Sequence, residues 1–271
     1  MSFESDKVFA GSIPEIYDTL VVPLIFEPYA DDLVRRLTKL RLTNLLEVAA
    51  GTGVVTRAMA AALPREVSIV ATDLNPAMIE RGRAVGTARE VEWREADAMS
   101  LPFPDASFDA IACQFGVMFF PDKPKAFSEM RRVLRRGGSL LFNVWDRIEE
   151  NECANIVTES LRALFADDPP LFLRRTPHGY FDVQTIHRDL VAGGFTASPR
   201  IATVAERSRA PSPQVPAIAY CQGTPLRSEI TARGPSRLAE ATETAGEALA
   251  RRFGRGAVDG KIQALVVSVE S

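Results

Sequence analysis

The sequence predicts an α/β fold: a parallel sheet with helices packed on its faces. Three observations predict it. Between residues 44 and 145, short apolar runs alternate with amphipathic helical runs, the pattern of strands joined by right-handed helical crossovers. The run Leu45-Leu46-Glu47-Val48 passes through Ala49-Ala50 into Gly51-Thr52-Gly53. It reads as a buried strand ending in a glycine turn that opens a helix. The next apolar run, Val67 to Ala71, leads to Asp73, twenty positions after Gly53. That layout builds a nucleotide-shaped slot at the carboxyl end of the sheet.

Each element follows from its own pattern. Within 13–40 an amphipathic helix places Leu33, Leu37 and Leu40 at helical spacing, with Arg35, Arg36 and Lys39 between them. Strands are expected at 44–49, 67–72, 90–94, 108–114 and 139–145. Helices are expected at 54–63, 76–84 and 123–135, the last closed by Gly137-Gly138 as a C-terminal cap. After Trp145 the rhythm loosens. Residues 150–165 read as helix, broken by Asp167-Asp168-Pro169-Pro170. Val183, Ile186, Leu190 and Val191 mark one face of a helix over 183–192. Residues 199–207 and 261–269 alternate like strands. Between them the chain is Pro-rich at first (Pro211, Pro213, Pro216) and helical later, over 238–252. The stretches 146–180 and 208–259 are expected to be insertions folded over the sheet.

Composition narrows the class. The chain has 271 residues, 46% apolar and 25% charged, which suits one α/β domain with insertions. A net charge of −3 argues against a nucleic-acid footprint. Cys113, Cys153 and Cys221 are odd in number and far apart, so neither a disulfide framework nor a CxxC zinc site is expected, and no metal site. No apolar run is long enough for a membrane span, and the first residues are polar, without a signal-peptide core. A cytoplasmic location is the expectation.

Gly51 and Gly53 permit a positive φ and a close approach of backbone N–H groups to a ligand. The helix they open presents unpaired N–H groups that suit a carboxylate or a phosphate. Thr56 stands where a dinucleotide fingerprint has its third small residue. A carboxylate at Asp73 can accept hydrogen bonds from two ribose hydroxyls. The competing role, capping the helix after Pro76, falls more naturally to Asn75. Asp97-Ala98 follows the third strand, where the edge of a base would lie.

Over residues 40–145 the chain resembles the class I S-adenosylmethionine-dependent methyltransferases, of the ubiquinone/menaquinone C-methyltransferase type. The segments carrying the resemblance are Leu45 to Gly53, Ala71 to Met78, Glu95 to Ala110 and Phe127 to Phe142; Leu101-Pro-Phe-Pro-Asp-Ala-Ser-Phe-Asp109 matches almost residue for residue. The resemblance implies a Rossmann-like seven-stranded mixed sheet, mostly parallel with the last strand antiparallel, flanked by helices, with the helical insertions as a lid. The whole chain, 1–271, is then one methyltransferase domain: an N-terminal helical segment 1–40 over the cofactor, a binding core 41–145, lid insertions 146–180 and 208–259, and the rest of the sheet from 181–207 and 260–271.

The family's roles carry over by position. Glu47 would lie near the methionyl amine, and Ala49, Gly51 and Gly53 along the methionine part. Asp73 would hold the ribose, with Leu74 and Met78 flanking adenine. Asp97 would accept from the adenine amino group, with Ala98 or Met99 donating from the backbone. Gln114 and Phe115 would lie near the sulfonium. S-adenosyl-L-homocysteine is the implied product. Two departures stand out. Ala49 replaces the first glycine of the family's acidic-x-Gly-x-Gly run, which is tolerable if that position keeps a negative φ. Arg136 stands where the family often has Pro, on the expected surface.

Methyl transfer from a sulfonium needs positioning above all, and a base only if the nucleophile must lose a proton. Tyr17 and Phe26 are candidates to cover the sulfonium with aromatic faces, or else pack their own segment. His178 and Tyr180, in Thr176-Pro-His-Gly-Tyr180, are the candidate catalytic or acceptor-contacting residues; His187 falls on a polar helix face. Trp145 is a candidate substrate wall. No Asn/Asp-Pro-Pro-aromatic motif follows the fourth strand, where the chain reads Gln114-Phe-Gly-Val-Met. The scattered cysteines do not suit a metalloid acceptor. A small-molecule methyl acceptor remains, with no nucleic-acid or membrane partner, on a monomer or homodimer. The competing readings are a non-catalytic S-adenosylmethionine-binding sensor or scaffold, and a nicotinamide oxidoreductase. Thr56 and the lack of a Tyr-x-x-x-Lys pair after the fourth strand disfavour the oxidoreductase.

Overall fold

The structure is a computed structural model, and it describes residues 13–271; the first twelve residues of the N-terminal segment lie outside the described residues. Its centre is a seven-stranded mixed sheet. The strands are β1 (Asn44–Val48), β2 (Ser68–Asp73), β3 (Glu92–Glu95), β4 (Phe108–Gln114), β5 (Leu134–Trp145), β6 (Arg200–Ala210) and β7 (Val258–Glu270), in the spatial order β3-β2-β1-β4-β5-β7-β6. The pairs β3–β2, β2–β1, β1–β4 and β4–β5 are all parallel; the antiparallel strands are the last ones. Strand order reverses at β1, between β2 and β4, where open α/β sheets bind ligands.

The chain divides into two compact units. One contains residues up to Phe26, Trp145–Gly179 and Ala205–Gln263; the other contains Glu27–Val144, Tyr180–Val204 and Ala264–Ser271. Of the described part of the N-terminal segment, residues 13–26 fall in the first unit and those from Glu27 in the second.

In the second unit, helices α2 (Glu27–Leu37), α3 (Val54–Ala62), α4 (Pro76–Val85), α5 (Lys123–Val133) and α8 (Val183–Ala192) accompany the strands. Leu33 and Leu37, fully buried, join Leu45, Val55, Met59, Ile69 and Ala110 in a core between α2, α3 and the sheet. The helical spacing of those leucines is what the amphipathic pattern required. Asn75 caps α4, its side chain accepting the Ala77 N–H, with Pro76 at the first helical position.

The expected helix 123–135 stops at Val133, and Gly137-Gly138 does not cap it. Strand β5 already begins at Leu134, and the glycines sit where its register against β4 shifts, between Phe108 and Ala110. Gly137 has φ 76°, and a side chain on Gly138 would strike the Arg135 and Asp109 carbonyl oxygens. The pair therefore makes a strand bulge.

The first unit is mostly helical: α1 (Ile13–Ile16), α6 (Glu152–Leu164), α7 (Phe172–Arg175), α9 (Gln214–Gln222), α10 (Leu226–Ala232) and α11 (Arg237–Phe253). Between α1 and α2 a ten-residue π-helix, Tyr17–Phe26, contains Pro23, which cannot donate an α-helical hydrogen bond. Helix α11 packs on α6 and α9. Buried Glu229 on α10 pairs with Arg175 at 2.7 Å and also accepts the Leu171 and Phe172 N–H groups at the start of α7. Among the described residues no helix is long and apolar enough to cross a membrane.

Candidate functional site

The tips of β1 and β2 are joined by hydrogen bonds. Gly51 N–H donates to Asp73 Oδ2 at 2.8 Å, and Asn75 N–H donates to Asp73 Oδ1 at 2.8 Å. Ala50 N–H reaches the Thr72 carbonyl. Gly51 and Gly53 both have positive φ, 58° and 84°, as the turn was expected to need. Burial pushes the Asp73 carboxyl above its ordinary range, and the backbone N–H groups of Asn75, Gly51 and Leu74 oppose that shift. Leu74, beside it, is 50% exposed.

The two glycines differ in purpose. A side chain on Gly51 would meet only the buried Met78 methyl, at an ordinary 3.7 Å, whereas one on Gly53 would strike Trp93 Cη2 at 2.5 Å. The same indole leaves no room for a side chain on Gly82. Gly53 thus allows Trp93 to wedge between the turn and α4. Met78 sits behind the Gly51 turn rather than on an open rim.

Glu47 is almost wholly buried and accepts the Thr56 hydroxyl at 2.5 Å. Thr56, read from the sequence only as a missing glycine, is in fact the partner of this carboxyl. Burial raises the Glu47 pKa to about 8; the Thr56 hydrogen bond opposes the rise, the Asp73 charge adds to it and Arg57 opposes it.

Ala49 departs from expectation. Its φ is +57°, not negative. An alanine there is strained by about 1–2 kcal/mol. Its methyl occupies the space where Gly116 would carry a side chain, 2.5 Å from that missing Cβ, so the glycine absent from position 49 is answered by one at position 116.

Beyond β3, Met99 N–H donates to Asp97 Oδ1 at 2.8 Å. The Met99 N–H is therefore already engaged within this turn. At the end of β4, Phe115 has φ +52°, an uncommon conformation for a bulky residue. Its N–H donates to both the carbonyl and the side-chain Oδ1 of Asn143, at 3.1 and 3.0 Å. Asn143 is fully buried and also donates to Gln114 at 3.5 Å. Phe115 meets Tyr29 edge to face, ring centroids 5.3 Å apart. Sequence reasoning missed Asn143, Tyr29 and Trp93; a polar residue inside the apolar run Leu140–Val144 was the available signal for Asn143.

The remaining candidates have other partners. Tyr180 is buried, donates its hydroxyl to Asp189 at 3.0 Å and lies under the Lys123 ammonium. Burial pushes its phenol upward, and Asp189 adds to the shift, so it anchors α8 with its proton on. Tyr17, Phe26, Trp145 and His178 belong to the first unit, where they form a row of rings with successive centroids 5.4, 6.0 and 5.9 Å apart. His187 is exposed. Cys113 is buried on β4, its thiol pushed up to about 12 by burial.

Residues 46–142 match the model of a family described as "Methyltransferase domain". Over this segment the chain is similar to a methyltransferase domain. It holds the Glu47 to Gly53 turn, Asp73, Asp97 and Phe115. The ubiquinone/menaquinone biosynthesis C-methyltransferase of Hahella chejuensis is 38% identical over 102 residues, 36% of this chain and 41% of that protein. The chain thus spans about two fifths of the length of the curated relatives it matches. Among solved structures, Haemonchus contortus phosphoethanolamine N-methyltransferase 2, in complex with phosphomonomethylethanolamine and S-adenosylhomocysteine, superposes with a TM-score of 0.59 at 15% identity, over 99% of this chain and 60% of that one. The [4+2]-cyclase SpnF superposes with a TM-score of 0.54 at 20% identity, over 90% and 80%. These last two likenesses concern the fold alone.

Proposed function

We propose that this chain transfers a methyl group from S-adenosylmethionine to a small-molecule acceptor by in-line displacement. The observation that carries the reading is the joint between the two strand tips, Gly51 N–H on the Asp73 carboxylate with both turn glycines at positive φ. Asp73 Oδ2 takes the Gly51 N–H and Oδ1 the Asn75 N–H, and a carboxylate has lone pairs for further donors, which suits the hydroxyls of a ribose. Exposed Leu74 offers an apolar face to a base, and Asp97 with Ala98 offers an acceptor and a donor to its edge. Bound here, S-adenosylmethionine supplies an electrophilic methyl on a sulfonium and departs as the neutral thioether S-adenosylhomocysteine.

The residues of the chain act by placement. Phe115 and Tyr29 wall the end of β4, and Asn143 holds Phe115 in its strained conformation. Placement of this kind can supply roughly 7–11 kcal/mol of a barrier. The Glu47 carboxyl, neutral while enclosed, would surrender its proton to meet the methionyl ammonium.

Turnover tests this reading against a protein that binds the cofactor and does nothing more. The full chain is incubated with methyl-labelled S-adenosylmethionine and a metabolite mixture. The expected result is one labelled product formed together with equimolar S-adenosylhomocysteine. Tight binding with no product from any acceptor would leave a sensor or scaffold in its place.

A further inference from the structure

We propose that His178 Nε2 is a recognition point, within the first unit, for a hydroxyl or N–H donor carried on an apolar ring. His178 is 5% exposed. Its Nδ1 lies 2.8 Å from the Asp146 carbonyl oxygen. A carbonyl only accepts, so Nδ1 carries the proton and Nε2 presents a lone pair.

The carbonyl that sets this tautomer is itself fixed. Asp146 N–H donates to the Gln263 carbonyl, the Gln263 amide donates to Asp146 Oδ2 at 2.6 Å, and Asn151 also reaches the Asp146 carbonyl. His178 N–H is held by the Leu173 carbonyl. The backbone N–H and the ring Nδ1 of His178 are thus both anchored, and the ring is oriented through Nδ1, as a base or acceptor is when a third group aims it.

Among the described residues nothing hydrogen-bonds Nε2, and it is not one of the wholly enclosed unpaired polar atoms. It therefore reaches the edge of the unit's interior. An acceptor that is neutral and aimed selects an uncharged donor. The Trp145 ring, 5.9 Å away and tilted by 39°, selects a flat apolar body for that donor. The charged groups facing the ring are Asp146, Glu149 and Arg174, and burial outweighs them, holding the imidazole down to about 4. Naming the occupant as the methyl acceptor rests on the function proposed above; the binding itself does not.

Because the chain has only two histidines, nitrogen NMR of the ¹⁵N-labelled full chain without cofactor tests the site. Exposed His187 is the internal reference. The expected spectrum shows His178 protonated on Nδ1 and bare on Nε2. Phenol then shifts Nε2 of His178 saturably and leaves His187 in place. Anisole, the same ring without a donor, shifts it several-fold less. A proton on Nε2, equal shifts at both histidines, or equal effects of phenol and anisole would overturn the proposal. A chain that passes this test but binds no S-adenosylmethionine keeps the site and loses the function.

Discussion

A carboxyl enclosed as fully as that of Glu47 holds its proton where an exposed one would not. Its pKa is about 8 in the folded chain against an ordinary 4.5. Between those values the folded state binds a proton that the unfolded state has lost, so this residue's contribution to stability falls as pH rises through that window. Glutamine at this position keeps an acceptor for the Thr56 hydroxyl and cannot ionise. The expected outcome for Glu47→Gln is a higher Tm than the parent at pH 8 and an unchanged Tm near pH 4.5, read by thermal melts across pH. The same variant should bind S-adenosylmethionine more weakly, since it has no charge to offer an ammonium. A parent whose stability does not decline above pH 5 relative to Glu47→Gln would refute the enclosed-proton account. The turn at Gly51 was legible in the sequence because a positive φ admits few residue types. The role of Thr56 was not, because its partner lies nine positions away, inside the fold, and nothing in local pattern announces it.

Among the elements, strand β4 is tied at its start by Asp109. Oδ2 accepts the N–H groups of Thr43 and Asn44 and the Thr43 hydroxyl, and Oδ1 accepts from Arg135 at 2.5 Å. Burial alone would raise this carboxyl, but the bonds from Thr43, Asn44 and Arg135 outweigh it and hold the pKa at about 2. Its stabilisation is present above the ordinary 3.8 and is lost as pH falls through 2. Asp109→Asn should lower stability by about 2 kcal/mol, because hydrogen bonds to a charged group are worth roughly 1.5–3 kcal/mol. S-adenosylmethionine affinity should stay within about two-fold. Denaturant melts and calorimetry together read both, and a stable variant with lost affinity would mean that Asp109 serves the slot and not the strand.

The expected strands and most helices were found within a few residues, since period and caps are local signals. The Gly137-Gly138 bulge was misread as a helix cap because a glycine pair serves either end, and only pairing with β4 decides between them. The π-helix Tyr17–Phe26 and the short helices α9 and α10 carry prolines inside or beside them, which obscures helical periodicity.

At the scale of the whole molecule, the segment matched to a methyltransferase domain, 46–142, contains the turns that follow β1, β2, β3 and β4. The first unit is built mainly from the stretches that had looked like insertions, 146–180 and 208–259. Its content was legible as helix but not as partners, because contacts such as Arg175 with Glu229 span 54 positions of sequence. The central claim is that a carboxylate and a glycine turn, joined at two strand tips, hold an adenosyl sulfonium. Calorimetry of the full chain and of Asp73→Ala, each titrated with S-adenosylmethionine and with NAD, tests it most directly. The account predicts that the parent binds S-adenosylmethionine and not NAD. Folded Asp73→Ala should lose at least about a hundred-fold in affinity, because two hydrogen bonds to a charge, at roughly 1.5–3 kcal/mol each, disappear. Equal affinity in the folded variant, or a parent that prefers NAD, would contradict it.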